Sequence, residues 1–265
     1  MGGILGAKSF MVGGLVGKTI VISGGTKGVG TAVALACVQE SARVVIGGRD
    51  EAAAQDILAQ ITELGGEGLF VPTDLRKTKD CQRLFDAAHR CFGRIDGFFN
   101  YAGITPAASL LESTEDDFNA IFDINIRAAF FCCQHAVRYM QAVGGGSIVL
   151  TGSPHAWGGD KDRVAYACSK GALLTLSNHL AQHYAEAGIR ANHVTMGWTP
   201  TEGEVALRQN QGMSPECLRT WASGVVPAGR MTEVEDIVPG ILYLLSDQST
   251  MVTGANLRIT GGLFI

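Results

Sequence analysis

The sequence predicts an α/β fold in which one parallel sheet of about seven strands carries helices on both faces. Short β-branched runs alternate with longer helical runs along the chain, and glycines or polar residues follow the strand-like runs. This alternation is typical of a doubly wound sheet, because each strand needs a crossover helix to reach the next parallel strand. At 265 residues, 46% apolar and 17% charged, the chain can bury one sizeable core.

The first strand is predicted at 18–23, and a glycine turn and a helix at 31–40 follow it. The turn reads Gly24-Gly25-Thr26-Lys27-Gly28-Val29-Gly30, so its glycines are spaced as GxxxGxG. Glycine allows a tight turn and lets backbone N–H groups approach a phosphate closely. The helix start adds a positive dipole end. The segment therefore predicts a phosphate-binding turn.

The second strand ends where a dinucleotide-binding chain places an acid on the ribose 2′-hydroxyl. Gly48 occupies this place, Arg49 follows it, and Lys27 lies inside the glycine turn. Two cations without an acid favour a 2′-phosphate, so the expected cofactor is NADP(H) rather than NAD(H). Asp50 is interpreted as the N-cap of the next helix.

The other elements continue the alternation. Further strands are predicted at 43–48, 68–72, 95–99, 147–151, 190–195 and 257–259. Further helices are predicted at 51–64, 77–92, 115–141, 166–187 and 233–245. Residues 199–225 break the alternation and are interpreted as a substrate loop, since long excursions in compact chains usually form lids or binding loops. Residues 18–265 are therefore predicted to form a single domain behind a flexible apolar extension, 1–17.

One helical stretch, Tyr166-Ala167-Cys168-Ser169-Lys170, places a phenol and an ammonium four residues apart. Side chains with this spacing stack on one helix face, where the cation would help the phenol to lose its proton. Ser153 follows the strand at 147–151, and Asn125 lies within an apolar helix, where an unused amide is disfavoured. Such a pair is common on solvated helices, so its meaning depends on whether a cofactor site surrounds it.

Composition narrows the class of protein further. The net charge of −4 and the lack of a basic stripe argue against a nucleic-acid partner. No uninterrupted apolar run is long enough to span a membrane. The seven cysteines include no CxxC pair, so neither a metal site nor a disulfide framework is expected, and a reducing, cytoplasmic location is favoured.

Several short motifs occur in a fixed order along the chain. They are Ser23-Gly24-Gly25-Thr26-Lys27-Gly28-Val29-Gly30, Asp74 after the third strand, Asn100-Tyr101-Ala102-Gly103, Asn125, Ser153, and Tyr166 with Lys170. In this order the sequence resembles the single-domain short-chain dehydrogenase/reductases, whose motifs are TGxxxGxG, NNAG and YxxxK. The resemblance covers almost everything from residue 18 onward. It implies a Rossmann-like fold and hydride transfer between a nicotinamide and an alcohol or ketone.

The resemblance also implies roles for these residues. Tyr166 would be the general acid/base, and Lys170 would lower its pKa and hold the nicotinamide ribose. Ser153 would bind the substrate oxygen, and Asn125 would support Lys170 through water. Asp74 would bind the adenine amine. The cofactor would lie along Ser23, Gly24, Thr26, Lys27, Gly28, Val29, Gly30, Arg49, Asp74, Leu75, Asn100, Ala102, Gly103, Tyr166, Lys170, Gly197, Thr199 and Thr201.

Three positions depart from the family pattern. Ser23 stands in place of Thr, Tyr101 in place of the second Asn of NNAG, and Met196 in place of the Pro of the usual PG pair. None of these changes removes a catalytic group. Met196 should loosen the turn that enters the substrate loop.

The predicted substrate pocket mixes polar groups with aromatic faces, which suits a sugar, a polyol or another hydroxylated or cyclic substrate. Its candidate residues are Ser153, His155, Trp157, Tyr166, Trp198 and Glu202. A 3-oxoacyl-thioester reductase is one alternative, although Ala187 stands where such enzymes commonly carry a basic residue. A non-catalytic NADP(H)-sensing or partner-binding protein is an alternative of another class. The resemblance also implies a homotetramer or homodimer.

Overall fold

The structure is a computed structural model that describes residues 14–200, 205, 212 and 214–263. Seven strands form one sheet in the order β3-β2-β1-β4-β5-β6-β7, and every neighbouring pair is parallel. The strands are β1 (Thr19–Ser23), β2 (Arg43–Gly48), β3 (Gly68–Pro72), β4 (Gly97–Asn100), β5 (Gly146–Gly152), β6 (Ile189–Met196) and β7 (Asn256–Ile259). The predicted doubly wound parallel sheet is therefore confirmed.

The helices alternate with the strands, as the sequence predicted. They are α1 (Gly28–Gln39), α2 (Glu51–Glu63), α3 (Thr78–Phe92), α4 (Glu115–Phe122), α5 (Ala128–Ala142), α6 (Val164–Tyr184), α7 (Pro215–Val225) and α8 (Val234–Leu245). Among the described residues, no helix combines the length and the apolarity that crossing a bilayer would require.

Two apolar clusters cover the two faces of the sheet. One packs α1, α2 and α8 on β-strand residues such as Ile20 and Ile22, and the other packs α3, α5 and α6 on residues such as Val21 and Ile148. Successive strand residues point to opposite faces, so both faces of the central strands are buried. Leu15 is fully buried in the first cluster, so the packed part of the chain begins earlier than the predicted boundary at residue 18.

The helix predicted at 115–141 is two α-helices joined by one π-helical turn, Asp123–Arg127. Asn125 lies in this turn and is fully buried. Its side chain bonds groups outside the helix, as described below, and π turns of this kind often occur at functional sites. A regular helical pattern in the sequence cannot reveal such a one-residue insertion.

The segment predicted as a substrate loop, 199–225, contains the helix α7 in its second half. Ser214 caps this helix by accepting a hydrogen bond from the Cys217 N–H at 3.1 Å. Pro215 suggested a break in the sequence, but proline is favoured in the first turn of a helix, where its missing N–H is not needed. Thr201 and Glu202 lie outside the described residues, as does most of the predicted extension 1–17.

Candidate active site

A cavity of about 1070 Å³ lies beyond the carboxyl ends of the central strands. One end is bounded by the glycine turn after β1, and the other by aromatic residues after β6 and on α7. Parallel strands bring their carboxyl ends to one edge of the sheet, where ligands bind in folds of this type. The predicted residues that line it are Gly24, Thr26, Lys27, Gly28, Val29, Arg49, Asp74, Leu75, Ala102, Gly103, Ser153, His155, Tyr166, Lys170, Gly197, Trp198 and Thr199.

In the glycine turn, the backbone packs closely against itself and against the segment that follows β4. Gly24 has φ +77°, and a Cβ there would lie 2.9 Å from the Ala102 backbone. At Gly30 a Cβ would collide with the Gly24 carbonyl and would lie 2.9 Å from the Tyr101 ring. Helix α1 begins at Gly28 without a side-chain cap, so its first N–H groups and positive dipole end face the cavity. This arrangement fits the diphosphate of a dinucleotide.

Two cations stand beside this turn, as predicted, but one of them has an acidic partner. Lys27 and Arg49 line the cavity, and the Lys27 Nζ lies 3.3 Å from an Asp50 carboxylate oxygen. The Asp50 carboxylate also accepts a hydrogen bond from the Ala53 N–H, which confirms its predicted role as a helix cap. These contacts lower the pKa of Asp50, chiefly through the bond from Ala53.

Asp74 lies at the same end of the cavity, after β3. Its carboxylate accepts two hydrogen bonds from Arg76, at 2.9 and 2.8 Å, and lies 3.9 Å from Lys77. The hydrogen bonds from Arg76 lower the pKa of Asp74 to about 2. The carboxylate is therefore ionised and already paired at neutral pH.

Tyr166 and Lys170 project from α6 into the opposite part of the cavity. Lys170 is only 3% exposed, and burial lowers its pKa to about 8. Its Nζ donates a hydrogen bond to the Thr151 carbonyl at 2.9 Å and lies 5.5 Å from the centre of the Tyr166 ring. The phenol and the cation therefore share one wall, as the four-residue spacing predicted.

Ser153 directly follows β5 and lies next to this pair. It is buried, and its Oγ accepts a weak hydrogen bond from the His155 N–H at 3.3 Å. The His155 ring packs edge-on against Tyr166 with centroids 5.7 Å apart, and its Nε2 lies 3.7 Å from Asp160. A hydroxyl, a phenol and an imidazole thus surround one small region of the cavity, where a carbonyl oxygen could accept hydrogen bonds.

Asn125 holds the segment that follows β4 against α6. Its Oδ1 accepts from the Ile104 N–H at 2.9 Å, and its Nδ2 donates to the Ile104 carbonyl and to the Ser169 Oγ, each at 3.0 Å. A Cβ on Gly103 would lie 3.3 Å from the Asn125 Oδ1 and 3.6 Å from the Lys170 Nζ. The buried amide is therefore fully used, and Gly103 leaves room beside it.

Five of the predicted residues that the structure describes do not line the cavity, namely Ser23, Gly30, Asn100, Asn125 and Trp157. Ser23 and Asn100 are buried between β1 and β4, where the Ser23 Oγ donates to the Asn100 Oδ1 at 3.0 Å. This hydrogen bond links the two neighbouring strands, and neither side chain lines the cavity. Trp157, predicted to bind substrate, is 45% exposed and packs under the guanidinium of Arg258 at 4.5 Å.

The aromatic end of the cavity contains a residue that the sequence did not single out. Trp198 and Trp221 meet edge to face with ring centroids 4.2 Å apart, and both line the cavity. Trp221 belongs to α7, which the sequence did not predict, and for this reason its position in the cavity was not predicted either. Arg163 also lines the cavity, one helical turn before Tyr166. The helix was predicted to begin at Tyr166, so the spacing rule that paired Tyr166 with Lys170 did not extend to Arg163.

The described part of the chain contains no group of three His, Cys, Asp or Glu side chains that could hold a metal ion. A tight glycine turn and an uncapped helix start in the cavity wall suit a diphosphate, and the two cations Lys27 and Arg49 line the cavity beside that turn.

Comparison with known proteins agrees with this geometry. The family model described as "Enoyl-(Acyl carrier protein) reductase" matches residues 24–264. An L-rhamnose 1-dehydrogenase (NAD(P)(+)) of Azotobacter vinelandii is 34% identical over 95% of this chain and 98% of its own length. A 3-oxoacyl-(acyl-carrier-protein) reductase of Chlamydia pneumoniae is 30% identical over 94% of this chain and 98% of its own.

A solved structure shows the same architecture. The short-chain dehydrogenase/reductase from Serratia marcescens superposes with a TM-score of 0.85 at 28% identity, covering 94% of this chain and 98% of that one. The family match spans most of the sequence, and the relatives share its full length. The chain therefore belongs to the short-chain dehydrogenase/reductase family, whose members are oxidoreductases that act on CH–OH groups with NAD(P) as acceptor.

Proposed function

We propose that the protein is an NADP(H)-dependent oxidoreductase that interconverts a secondary alcohol and a ketone on a hydroxylated, sugar-like or cyclic substrate. The observation that carries this proposal is the position of Tyr166, Lys170 and Ser153 on one wall of a cavity whose other end is the phosphate-binding turn. A nicotinamide bound along this cavity supplies or accepts the hydride.

The chain's own residues supply the proton and the charge stabilisation. Tyr166 donates its phenolic proton to the carbonyl oxygen during reduction and takes the proton back during oxidation. The Ser153 hydroxyl donates a hydrogen bond to the same oxygen and stabilises the negative charge that develops on it. Lys170, as an ammonium, favours the phenolate that remains after the proton has left.

Asn125 is proposed as a positioning residue for Lys170 and the chain after β4. Its amide bonds Ile104 and Ser169, and Ser169 immediately precedes Lys170 on α6. The backbone that carries the lysine is thereby joined to the backbone that borders the cavity at Gly103. The water-mediated contact expected from the family resemblance remains a prediction.

The test of the reaction is removal of the phenolic hydroxyl. We expect Tyr166→Phe to lower kcat for ketone reduction by roughly 10²- to 10⁴-fold, the usual contribution of a general acid. Dissociation constants for NADPH, measured by fluorescence titration, should change little. Tyr243→Phe is the matched control, since Tyr243 lies on α8 and is 36% exposed. Turnover near the parent rate in Tyr166→Phe would contradict the proposed proton donor.

The proposed preference for NADP(H) is supported by Lys27 and Arg49, which line the cavity beside the glycine turn. A 2′-phosphate would gain charge-assisted bonds from these two side chains. We expect NADPH to bind more tightly than NADH, and Arg49→Gln to narrow that difference by about tenfold. Equal or reversed affinities in the unmodified protein would refute the preference, as would an Arg49→Gln variant that keeps the full difference.

The substrate class rests on the mixture of polar and aromatic groups around Ser153. Trp198 and Trp221 offer flat apolar faces, and His155 and Asp160 offer polar ones. Such a lining suits a ring that carries hydroxyl groups. A turnover screen over ketones, keto-sugars and cyclic alcohols tests this proposal.

The alternative substrate, a 3-oxoacyl thioester, is supported by the similarity to the Chlamydia pneumoniae reductase. Ala187 remains the sequence feature against it, because docking of an acidic carrier favours a basic residue there. The same screen should include an oxoacyl thioester. Faster turnover of the thioester than of every cyclic substrate would favour this alternative.

We further propose that the protein assembles as a homotetramer or homodimer and works in a reducing, cytoplasmic compartment. Exposed apolar side chains on α4 and α5, Phe118 and Phe130, support assembly. Seven free thiols, four of them buried, support the compartment. Light scattering coupled to size-exclusion chromatography measures the assembly, and a monomer at micromolar concentration would contradict it.

A further inference from the structure

Arg163 is a buried cation in the wall of the cavity. Its side chain is only 4% exposed, and it lines the cavity together with Ser153 and Tyr166. Burial of a guanidinium is costly unless its charge is paired and its five N–H donors are bonded. A buried arginine at a substrate cavity therefore needs an explanation in terms of its partners.

The partners of Arg163 within the described residues are poor. Its Nη1 lies 3.4 Å from the Asp162 carbonyl and 3.6 Å from an Asp162 carboxylate oxygen, and the side chain of Asp162 is 41% exposed. By contrast, Arg94 contacts Asp96 at 2.6 to 3.0 Å through three hydrogen bonds. Among the described residues, the Arg163 guanidinium therefore has no matching two-pronged acceptor.

The backbone around Arg163 is firmly held, so the charge has a defined position. The Arg163 N–H donates to the Asp160 carbonyl at 3.0 Å, and its own carbonyl accepts from the Ala167 N–H at 2.8 Å. The neighbouring Asp162 carbonyl accepts from the Ala108 N–H at 2.9 Å. Arg163 directly precedes α6, three residues before Tyr166, and both residues line the large cavity.

The large cavity is wide enough to bring a ligand to this arginine. Arg163 also borders a second cavity, shared with Asp117 and Ser113, but its volume is about 10 Å³. That space admits about one water molecule and excludes a carboxylate. Asp160, the acid that lines the large cavity here, lies 3.7 Å from the imidazole of His155.

We propose that Arg163 recognises a carboxylate on the substrate, a few bonds from the carbonyl that Tyr166 protonates. Two parallel N–H···O bonds from the guanidinium would satisfy the donors that Asp162 leaves weakly used. The preferred substrate is then a cyclic or hydroxylated keto acid rather than a neutral ketone. This inference rests on the proposed function, because it identifies the substrate class of the same cavity.

Matched ligands that differ only in charge provide the test. The ligands are 3- and 4-oxocyclohexanecarboxylate and their methyl esters, titrated calorimetrically into the protein saturated with NADP⁺, where no turnover can occur. We expect an acid to bind roughly 10- to 100-fold more tightly than its ester, the range typical of a hydrogen bond to a charged group. In turnover with NADPH, the same preference should appear in kcat/KM.

Variants identify the group responsible. Arg163→Gln should bring the acid-to-ester ratio close to one, and Arg163→Lys should restore part of it. Asp162→Asn removes the weak competing acceptor and should leave the ratio unchanged or larger. Arg138→Gln, an exposed arginine of α5, is the control that should keep the parent ratio. The ratio is informative because a purely structural role of Arg163 would weaken both ligands alike.

The outcomes separate this inference from the reductase proposal. Equal binding of acid and ester, no binding of either acid at millimolar concentration, or an equal loss of both in Arg163→Gln would overturn the role of Arg163. A preference for the acid in binding without any turnover would support Arg163 while contradicting the proposed reaction. Turnover of neutral ketones without a preference for acids would support the reaction and overturn the role of Arg163.

Discussion

Replacing Lys170 by methionine should abolish activity and at the same time stabilise the fold near neutral pH. Burial lowers the pKa of Lys170 from 10.5 to about 8. The charged form of Lys170 therefore destabilises the folded protein at a pH below 8. A pKa lowered this far corresponds to a destabilisation of about 3 kcal/mol when the amine is protonated. Methionine has a similar length and no charge to desolvate.

One stabilising contact is lost in the same variant. The Lys170 Nζ donates to the Thr151 carbonyl at 2.9 Å, and this bond disappears with the ammonium. Leaving that buried carbonyl without its partner costs about 1 kcal/mol. The net expectation at pH 7 is a gain in unfolding free energy of about 2 kcal/mol, since the desolvation term is larger than the lost hydrogen bond.

The stability difference between the parent protein and Lys170→Met should depend on pH. Between pH 8 and 10.5 the unfolded chain binds more protons at Lys170 than the folded chain does, so the parent protein gains stability as the pH rises through this window. The methionine variant has no such titration. The unfolding free energy of the variant should therefore exceed that of the parent by about 2 kcal/mol at pH 7 and by about zero near pH 10.

The assay is urea unfolding followed by circular dichroism at both pH values and at one fixed protein concentration, because subunit association affects apparent stability. Lys79→Met, an exposed lysine on α3, is the matched control and should change stability by less than about 0.5 kcal/mol. A Lys170→Met variant that is destabilised at pH 7, or whose advantage is the same at pH 10, would refute the reasoning.

Two further variants and one pH profile also test the site. Asn125→Ala should lower the unfolding free energy by about 1–3 kcal/mol, because the N–H and carbonyl of Ile104 lose a buried partner, and thermal or urea unfolding measures this loss. Trp221→Ala should raise KM for a cyclic substrate several-fold without changing the Kd for NADPH, since Trp221 lines only the aromatic end of the cavity. In the unmodified protein, kcat/KM for ketone reduction should decline above about pH 8, because the folded-state pKa of Lys170 is about 8 and its ammonium is lost above that value.

Each of these three has a result that counts against it. Asn119→Ala, an exposed asparagine of α4, is the control for Asn125, and equal losses in the two variants would mean that the buried amide bonds contribute nothing. A parallel loss of cofactor affinity in Trp221→Ala would mean that the Trp221 side chain also contacts the cofactor. A pH profile that is flat from pH 6 to 10 would show that the charge state of Lys170 does not limit the reaction.

The sheet was predictable because buried parallel strands leave a continuous apolar signal. The predicted strands at 43–48 and 68–72 coincide with the observed ones, and the others differ by one or two residues at their ends. Residues that follow strand ends were therefore placed at one edge before any contact was known. Lys27, Arg49 and Ser153 all reach the cavity for this reason.

The side chains that could not be assigned correctly depend on tertiary contacts. Asn100 follows a strand and was expected along the cofactor, but its side chain points between the strands and bonds Ser23. Trp157 was expected in the substrate pocket, yet the short 3₁₀ turn Pro154–Trp157 carries it to the surface beside Arg258. Strand position predicts the edge of the sheet at which a residue lies, but not the direction in which its side chain points.

The π-helical turn, Asp123–Arg127, contains one residue more than an α-helix would need to keep α4 and α5 in phase. Deleting one residue there would join the two helices into an unbroken α-helix, and both could keep their present packing. An ordinary substitution cannot make this change, because it leaves the length of the chain unaltered. The protein could therefore lose the geometry around Asn125 through a single-codon deletion that leaves the sheet and both apolar clusters intact. In this segment the geometry of the site therefore depends on the number of residues as well as on their types.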